Sequence, residues 1–480
     1  MRSPSLSLYH ALPASLRPAI ANLRGLYLRS WRYGPETDKL ARETLERDYW
    51  TAQQWHDWQQ QRLNHVLRRA STLVPFYRQQ WDQQRSGGTA DSRQKLADWP
   101  ILEKKSVRTN PRAFLADGCH PRKMFHDHTS GTTGTSLDIW QSRETVRTWY
   151  ALFEARCRLW YGVSRHDKWG ILGGQLVVPV NRRRPPFWVW NASLNQLYLS
   201  SYHLAPDLIP HYLSALHAHR VTYLLGYTSA LYALAKEILE TKREAPPLKV
   251  IITNAEPVFG YQREAIAEAF HCPVRETYAM AEAVASASEC EAGRLHLWPE
   301  AGIVEILDGD KPVRNGEVGE LICTGLINAD MPLVRYRIGD RASWPSAVES
   351  CPCGRTLPLL GLVEGRSDDL LYSSDGRRIG RLDPVFKSNL PVREAQIVQQ
   401  RLDLVRVRFV PAAGFTDADG RSIISNVQAR MGAVNVILEP LPEIPRSANG
   451  KFRAVVCDLS PADKELAKRA GCTDRRNRSA

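Results

Sequence analysis

The sequence lacks the features that mark several common classes of protein. No apolar run approaches the roughly 18 residues that a membrane span requires, and no secretory hydrophobic segment follows Met1. The 480 residues contain no internal repeat and no low-complexity block. These absences disfavour a membrane-embedded, secreted or disordered chain. The length favours two or three globular domains.

The sequence also lacks a paired set of cysteines, and its acidic residues are fewer than its basic ones. The nine cysteines are scattered and odd in number, which argues against a disulfide framework and for a reducing compartment. Lys and Arg number 64 against 51 Asp and Glu, a net charge of +13. Such an excess suits nucleic acid, an anionic membrane or an anionic substrate. Because no nucleic-acid-binding signature accompanies the positive charge, we expect no nucleic-acid partner. The cysteines and the missing membrane and signal segments lead us to expect a cytoplasmic protein.

The N-terminal stretch predicts an amphipathic basic helix, interrupted early by Pro18. Its apolar residues lie at helical spacing, namely Leu12, Leu16, Ile20, Leu23, Tyr27 and Trp31, while Arg17, Arg24 and Arg29 lie elsewhere. Two interpretations stay open. The helix packs on the domain surface, or it makes a peripheral contact with a membrane. Residues 36–70 are rich in helix formers and predict further helix.

Apolar strands alternate with helices from residue 143 to residue 280. We predict helices over 143–163, 227–242 and 260–270, and strands over 168–174, 220–226, 248–254 and 273–280. Such alternation is typical of βαβ units, whose parallel sheet is covered on both faces. Ligands of these sheets bind beyond the carboxyl ends of the strands. The segments TNAEPV and TYAMAE would both deliver polar residues there.

The remaining third of the chain has a different pattern. After residue 290, short strands separated by Gly-rich turns predict a small β-barrel or sheet. A polar, Gly-rich stretch near residue 365 marks a boundary, and residues 366–458 are enough for a small separate domain of mixed strand and helix. The predicted fold class is therefore α/β, with doubly wound parallel sheets and a small β region in a large domain, followed by a small α+β domain.

The segment HTSGTTGTS at residues 128–136 combines two glycines with six hydroxyl residues. Successive backbone N–H groups in such a loop can form a nest for phosphate. Clusters of Ser, Thr and Gly are also ordinary loops. This stretch alone leaves both interpretations open.

Six motifs together resemble those of the adenylate-forming enzyme superfamily. They are TSGTTGTS at 129–136, NAEPV at 254–258, YAMAE at 278–282, YRIGD at 336–340, GRSDD at 365–369 and RSANGK at 446–451. Within the superfamily, the chain resembles the phenylacetate–CoA ligase and capsule-synthesis CapK-like branch, from about residue 95 to residue 456. The resemblance implies a helical N-terminal extension (1–94), a large ATP- and acyl-binding domain (95–365), a small mobile C-terminal lid (366–458) and a basic tail (459–480).

The resemblance implies that the chain activates a carboxylic acid with ATP, releases pyrophosphate and transfers the acyl group, by default to the thiol of CoA. The phosphate loop is then Thr129, Ser130, Gly131, Thr132, Thr133 and Gly134. Glu282 matches the acidic residue that helps to hold Mg²⁺, a cation that prefers carboxylate and phosphate oxygens. Asp340 matches the carboxylate that accepts hydrogen bonds from the ribose hydroxyls. The nucleotide slot is lined by Ala255, Glu256, Pro257, Tyr278, Ala279 and Met280.

Three further positions match residues of the lid. Lys451 matches the catalytic lysine, a compact point charge between the substrate carboxylate and the α-phosphate. Arg366 matches an arginine that contacts ribose or phosphate, and Asp368 the hinge position. The chain departs from the pattern at Ala279 and Ala281, where the motif usually has Gly and a hydroxyl residue. One contact to the α-phosphate is then missing, which predicts a lower turnover and an unchanged fold.

Cys290, His296, Cys351 and Cys353 predict a structural zinc site. Four thiol and imidazole ligands are what a closed tetrahedral site takes, and some phenylacetate–CoA ligase-like proteins carry a similar arrangement. The other interpretation is that buried thiols and a strand histidine merely fall in neighbouring segments.

The acyl substrate and the acceptor remain open at this stage. Trp188, Trp190 and Tyr227 either border a pocket for an aryl or short hydrophobic acid or are ordinary core aromatics. The acceptor is CoA, or an amine or hydroxyl in capsule or exopolysaccharide synthesis. A rival hypothesis is a degenerate nucleotide-binding scaffold of a polysaccharide assembly.

Overall fold

A computed structural model describes residues 4–83, 95–128, 137–179, 182, 184–205, 207–347, 350–366, 371–373, 378–379, 390–446 and 452–467. The chain forms two compact units, one of residues 1–338 and 342–362 and one of residues 339–341 and 363–480. Across the described ranges, no helix has the length and hydropathy that crossing a bilayer takes.

The helices are α1 (Pro4–Ala11), α2 (Arg17–Arg32), α3 (Thr37–Arg47), α4 (Ala52–Leu73), α5 (Pro75–Gln83), α6 (Lys104–Thr109), α7 (Arg143–Cys157), α8 (Ile209–His219), α9 (Thr228–Thr241), α10 (Gly260–Phe270) and α11 (Asp417–Met431). The strands of the first part of the chain are β1 (Phe125–His128), β2 (Asp138–Gln141), β3 (Trp169–Gly173), β4 (Trp188–Asn191), β5 (Gln196–Ser200), β6 (Tyr223–Tyr227), β7 (Val250–Asn254), β8 (Val274–Ala279), β9 (Ser286–Glu289), β10 (Leu295–Leu297) and β11 (Gly302–Asp308). Those that follow are β12 (Lys311–Pro312), β13 (Val318–Gly325), β14 (Tyr336–Ser343), β15 (Leu359–Leu360), β16 (Val363–Arg366), β17 (Leu371–Tyr372), β18 (Arg378–Ile379), β19 (Val392–Arg401), β20 (Leu404–Pro411), β21 (Asn435–Pro440) and β22 (Val455–Cys457).

A nine-stranded mixed sheet organises the first unit, in the order β15–β10–β9–β8–β7–β6–β3–β5–β4. The five strands from β8 to β5 are parallel to their neighbours, and antiparallel strands flank them on both sides. The parallel strands are continuous apolar runs because both of their faces are covered. Leu224, Ile251 and Leu199 are completely buried among the side chains of α8, α9 and α10. The alternation predicted from residue 143 onward is confirmed, and the sheet is mixed at its edges.

A smaller sheet of the first unit follows the order β12–β11–β13–β14. Strand β11 is antiparallel to both β12 and β13. This is the region of short strands and Gly-rich turns that the sequence indicated.

The N-terminal helices pack on the large sheet and on α7. Helix α2 starts at Arg17 with Pro18 in its first turn, where a missing N–H costs nothing. The predicted interruption at Pro18 is therefore a helix start. A buried network holds α3 to α7, since the guanidinium of Arg156 donates to Asp48 at 2.9 Å and to Glu300 at 2.7 Å.

The second unit contains a four-stranded sheet in the order β21–β20–β19–β22. Strands β19 and β20 form an antiparallel pair, with β22 and β21 parallel to them on either side. Helix α11 begins with a capping box formed by Thr416 and Asp419 and buries Ile423 and Val427 against β20 and β17 residues. Like the first unit, it mixes strands with helix. The functional boundaries proposed at residues 94, 365 and 458 stay predictions.

Candidate active site

The carboxyl ends of β6, β7 and β8 lie side by side in the large sheet. Tyr227 pairs with Asn254 across β6 and β7, and Thr253 pairs with Glu276 across β7 and β8. All three strands are parallel, so the segments that follow them leave the same edge. The structure thus brings together two of the predicted nucleotide-binding segments, 254–258 and 278–282.

The turn after β7 carries Ala255, Glu256 and Pro257. Ala255 has a left-handed backbone with φ of 63°, a conformation that costs about 1–2 kcal/mol for a residue with a Cβ. The carboxylate of Glu256 accepts hydrogen bonds from the backbone N–H of Ser229 at 2.8 Å and from its hydroxyl at 3.1 Å. An acidic group at the start of α9 also complements the helix dipole. Glu256 therefore fixes the turn, while Ala255 and Pro257 remain exposed at the sheet edge.

Residues 278–282, at the end of β8 and just after it, are anchored by a hydrogen bond to Ala281. Tyr278 and Met280 are half-buried and Ala279 is exposed. The side-chain amide of Gln141, at the end of β2, donates to the carbonyl of Ala281 at 3.4 Å. Because β2 follows directly on the predicted phosphate loop in sequence, this bond links the two motifs through one short strand.

Glu282 is buried, with a side chain only 5% exposed. Its Oε1 accepts from the ammonium of Lys104 at 3.1 Å and from the hydroxyl of Tyr336 at 3.1 Å. A carboxylate that is buried and ionised needs such a cation. A negatively charged oxygen at the sheet edge fits the predicted magnesium ligand. The sequence did not indicate Lys104, since it lies outside every motif and only its contact with Glu282 marks it.

Several predicted residues lie outside the described part of the chain. They are the phosphate-loop residues Thr129, Ser130, Gly131, Thr132, Thr133 and Gly134, the hinge Asp368 and the catalytic Lys451. The loop connects the antiparallel pair β1 and β2, whose last pairing is His128 with Asp138. Arg366 ends β16, and Asp340 is half-buried in β14. These assignments remain predictions.

The residues that flank Lys451 are fixed within the second unit. The guanidinium of Arg446 donates to Glu394 on β19 at 2.5 Å and lies 4.7 Å from the ring centre of Phe452. The amide of Gln396 donates to the carbonyl of Arg453 at 2.8 Å. Arg446 and Arg453, which precede and follow residues 447–451 in the sequence, are therefore both attached to β19.

The aromatic residues of the proposed acyl pocket lie on different strands of the large sheet. Trp188 and Trp190 lie on β4, the edge strand, three strands away from β6 and Tyr227. Three strand spacings amount to about 14 Å. Trp190 stacks on His219 with ring centres 5.0 Å apart, and Trp188 packs against Tyr212. Both tryptophans and Tyr227 are partly buried against the same hydrophobic core, and their place in an acyl pocket stays a prediction.

The four predicted zinc ligands converge in the first unit. The ligand atoms of Cys290, His296, Cys351 and Cys353 all lie within 4.8 Å of one another. Sγ of Cys290 is 3.6 Å from Sγ of Cys351, and Sγ of Cys353 is 3.4 Å from Nε2 of His296. Tetrahedral zinc at its usual bond lengths requires ligand separations of about 3.3–3.8 Å. The cluster therefore fits the ion.

The surroundings act on the four ligands in different directions, since burial raises the pKa of the Cys351 thiol to about 12. Nδ1 of His296 lies 3.1 Å from the carbonyl of Leu357, which fixes the N–H on that nitrogen and leaves Nε2 for the ion. Burial lowers the pKa of His296 and favours the neutral ring. Burial opposes ionisation of Cys353, but hydrogen bonds from the backbone of Arg355 and from Cys351 outweigh it and lower the pKa of Cys353.

Comparisons with known proteins show which families the chain is similar to. Residues 371–458 match the family model of the CapK C-terminal domain. The chain is 27% identical to protein CapK of Staphylococcus aureus, over 75% of this chain and 80% of that protein. It is 25% identical to a phenylacetate-coenzyme A ligase of Thermus thermophilus, over 88% of this chain and 99% of that protein.

The fold matches that of a 2-hydroxyisobutyryl-CoA ligase solved in the postadenylation state. The two share a TM-score of 0.64 and 19% identity, over 97% of each chain. At that identity the match establishes the fold alone, and it confirms the predicted α/β fold class. The chain is thus similar in sequence to CapK and the phenylacetate–CoA ligases, and it has the fold of an adenylate-forming CoA ligase.

Proposed function

We propose that this chain is a carboxylate-activating enzyme that forms an acyl-adenylate from ATP and releases pyrophosphate. The acyl group then passes to the thiol of CoA. The observation that carries this proposal is the parallel register of β6, β7 and β8. It sets segments 254–258 and 278–282 side by side, with the buried carboxylate of Glu282 beside them.

The roles of the residues follow from the charges that the reaction brings together. A carboxylate attacks the α-phosphate, so positive charge and oriented donors must be in place where charge develops. Residues 129–134 would hold the β- and γ-phosphates. Asp340 would bind the ribose, and Arg366 would contact ribose or phosphate. The adenine would lie between the turn at Ala255–Pro257 and the segment Tyr278–Met280. Glu282 would hold Mg²⁺, which neutralises phosphate charge when bound. By the resemblance, Lys451 would be the catalytic lysine that supplies charge to the reacting atoms, and Asp368 would be the hinge residue.

We propose that the acid binds at the carboxyl ends of β3 and β6. Tyr227 ends β6, and the hydroxyl of Tyr202 donates to the carbonyl of Gly174, just after β3, at 3.2 Å. An aryl or short hydrophobic acid suits these two phenol rings. Similarity to CapK supports a place in capsule or exopolysaccharide synthesis, where an amine or hydroxyl would replace CoA as acceptor.

Zinc at Cys290, His296, Cys351 and Cys353 would be structural. Arg355, two residues after the last cysteine, donates to Glu291 at 2.7 Å and stacks over Trp160 at 4.3 Å. These contacts tie both halves of the cluster to the rest of the first unit. The ion would therefore hold the β-strand region together and take no part in catalysis.

We place the enzyme in the cytoplasm, with a contact to the inner face of the membrane through α2. The test of its activity is ATP–pyrophosphate exchange across a panel of carboxylic acids. We expect exchange that depends on the acid and on Mg²⁺. ATP binding without exchange for any acid would instead support a nucleotide-binding scaffold, the alternative that Ala279 and Ala281 favour.

A further inference from the structure

Helix α2 carries apolar residues on more than one side, and the described part of the chain covers some of them and leaves others exposed. Its buried residues include Gly25, Leu28 and Trp31. The large apolar residues that remain exposed are Leu16 at 52%, Ile20 at 42%, Leu23 at 64%, Leu26 at 55% and Tyr27 at 51%. Positions 16, 20, 23 and 27 are spaced by four, three and four residues, so they share one side of the helix. We call these five residues the outer face.

The sequence had grouped Trp31 with Leu16, Ile20, Leu23 and Tyr27 in one apolar stripe. The structure separates them, because Trp31 is 9% exposed and packs on Phe125 with ring centres 5.7 Å apart. Both sequence interpretations of α2 therefore describe part of it. One side packs on the domain, and the other is free to meet a partner.

The helix is fixed firmly, so the outer face cannot turn inward. Asn191 donates to the carbonyl of Ala21 at 3.0 Å, and Asn22 accepts from the backbone N–H of Ala192 at 2.6 Å. A Cβ at Gly25 would lie 2.2 Å from Oδ1 of Asn191, so the backbone of α2 lies directly against the side chain at the end of β4. Rotating α2 would break these bonds and bury Arg24 in exchange.

The charged residues of the N-terminal segment itself are all basic. No Asp or Glu occurs before Glu36, whereas Arg24 and Arg29 are exposed on α2 itself. Nε2 of His10 lies 2.7 Å from the carbonyl oxygen of Leu176. This contact places the segment that precedes Arg182 and Arg184 next to the N-terminal helices. Arginine side chains beside an apolar face can extend toward lipid phosphates while their stems stay apolar.

We propose that the outer face of α2 lies in the surface of an anionic lipid bilayer, with Ile20 and Leu23 at its centre. An apolar helix face bordered by arginines is the pattern of an interfacial helix, and the inner leaflet attracts cations. A second copy of this chain is a poorer occupant, because a twofold contact would bring the same arginines together. This inference deepens the proposed membrane contact and does not depend on the ligase activity.

The test is sedimentation of the full chain with vesicles of phosphatidylglycerol and phosphatidylcholine, compared with pure phosphatidylcholine. We expect binding to the anionic vesicles that weakens as salt is raised. Replacing Ile20→Gln and Leu23→Gln together should weaken it at least about tenfold, given the transfer free energy of each side chain. Leu159→Gln, at an exposed leucine outside α2, is the matched control and should bind as the wild type does.

The contribution of charge has its own pair of variants. Arg24→Gln with Arg29→Gln should remove most of the preference for anionic vesicles, whereas Arg42→Gln, at an exposed arginine of α3, should keep it. Equal binding by wild type and the Ile20/Leu23 variant would overturn the proposal. So would a dimer in sedimentation velocity that this variant abolishes. ATP–pyrophosphate exchange on the same samples separates failure of this inference from failure of the proposed activity.

Discussion

The ammonium of Lys104 lies 3.1 Å from Oε1 of Glu282, the carboxylate predicted to hold Mg²⁺. Lys104 is 23% exposed and Glu282 is 5% exposed, so the lysine neutralises a charge that water barely reaches. A metal ion at Glu282 would share or replace this contact. Lys104 and a bound Mg²⁺ would therefore compete for the same carboxylate.

This arrangement predicts that Lys104→Met destabilises the protein most when metal is absent. Leaving Glu282 without its cation should cost about 1–3 kcal/mol of unfolding free energy, less than for a fully buried pair because Lys104 is partly exposed. Mg²⁺ with ATP should reduce the difference by supplying another cation. Urea denaturation with chelator and with Mg²⁺–ATP measures both quantities. Lys105→Met, at the exposed neighbour, is the control, and a Lys104 variant that matches it would refute the interpretation.

The cysteine and histidine cluster predicts about one zinc per chain. Cys351→Ala should lower the metal content and the melting temperature together, because a structural zinc contributes directly to folding. Cys272→Ala, at a buried thiol outside the cluster, should keep its metal. Elemental analysis of protein purified without chelator decides the matter, and well under one zinc per chain in the wild type would contradict the assignment.

Substitutions of Lys451 and of Asp340 should impair different steps of the reaction. Lys451→Ala should lower acyl-adenylate formation by several orders of magnitude and leave ATP affinity nearly unchanged, since its contact belongs to the transition state. Asp340→Ala should weaken ATP binding through the lost ribose hydrogen bonds. Exchange kinetics and calorimetry separate the two, with Lys464→Ala as a control in the same unit. Wild-type adenylation by the Lys451 variant would show that the residue is assigned wrongly.

The network around Arg156 predicts a stability that depends on pH. Burial alone would raise the pKa of Glu300, but Arg156 and Arg47 outweigh it and lower that pKa. Burial raises the pKa of Asp48, and the nearby charge of Glu300 adds a smaller increase. The stability that ionised Glu300 provides is therefore complete above its unfolded pKa, near 4.3, and is lost as the pH falls through the lower folded value.

Glu300→Gln should accordingly cost about 3–5 kcal/mol at pH 7, and the deficit should shrink below about pH 4. Glu43→Gln removes an exposed pair with Lys39 and should cost under about 1 kcal/mol. Urea titrations at several pH values compare the variants. A deficit for Glu300→Gln that stays constant down to pH 3 would exclude the lowered pKa as its cause.

The sequence by itself determined the α/β class and the candidate motifs. Strands such as Val250–Asn254 are short apolar runs, and helix Gly260–Phe270 has the predicted bounds, because periodicity and turn residues are local properties. The four cysteine and histidine residues of the predicted zinc site were also identified from the sequence, through the family resemblance and not through their spacing alone.

Tertiary structure alone decided which residues meet. The pairing of Lys104 with Glu282 joins positions 178 residues apart, and no local pattern encodes such a contact. Strand order moved Trp188 and Trp190 away from Tyr227, because β5 and β3 insert between β4 and β6. The apolar stripe of α2 was visible in the sequence, but burial divided it, leaving Trp31 covered and Leu23 exposed. Periodicity shows that a helix has a face, and only the packing around it shows which face is left open.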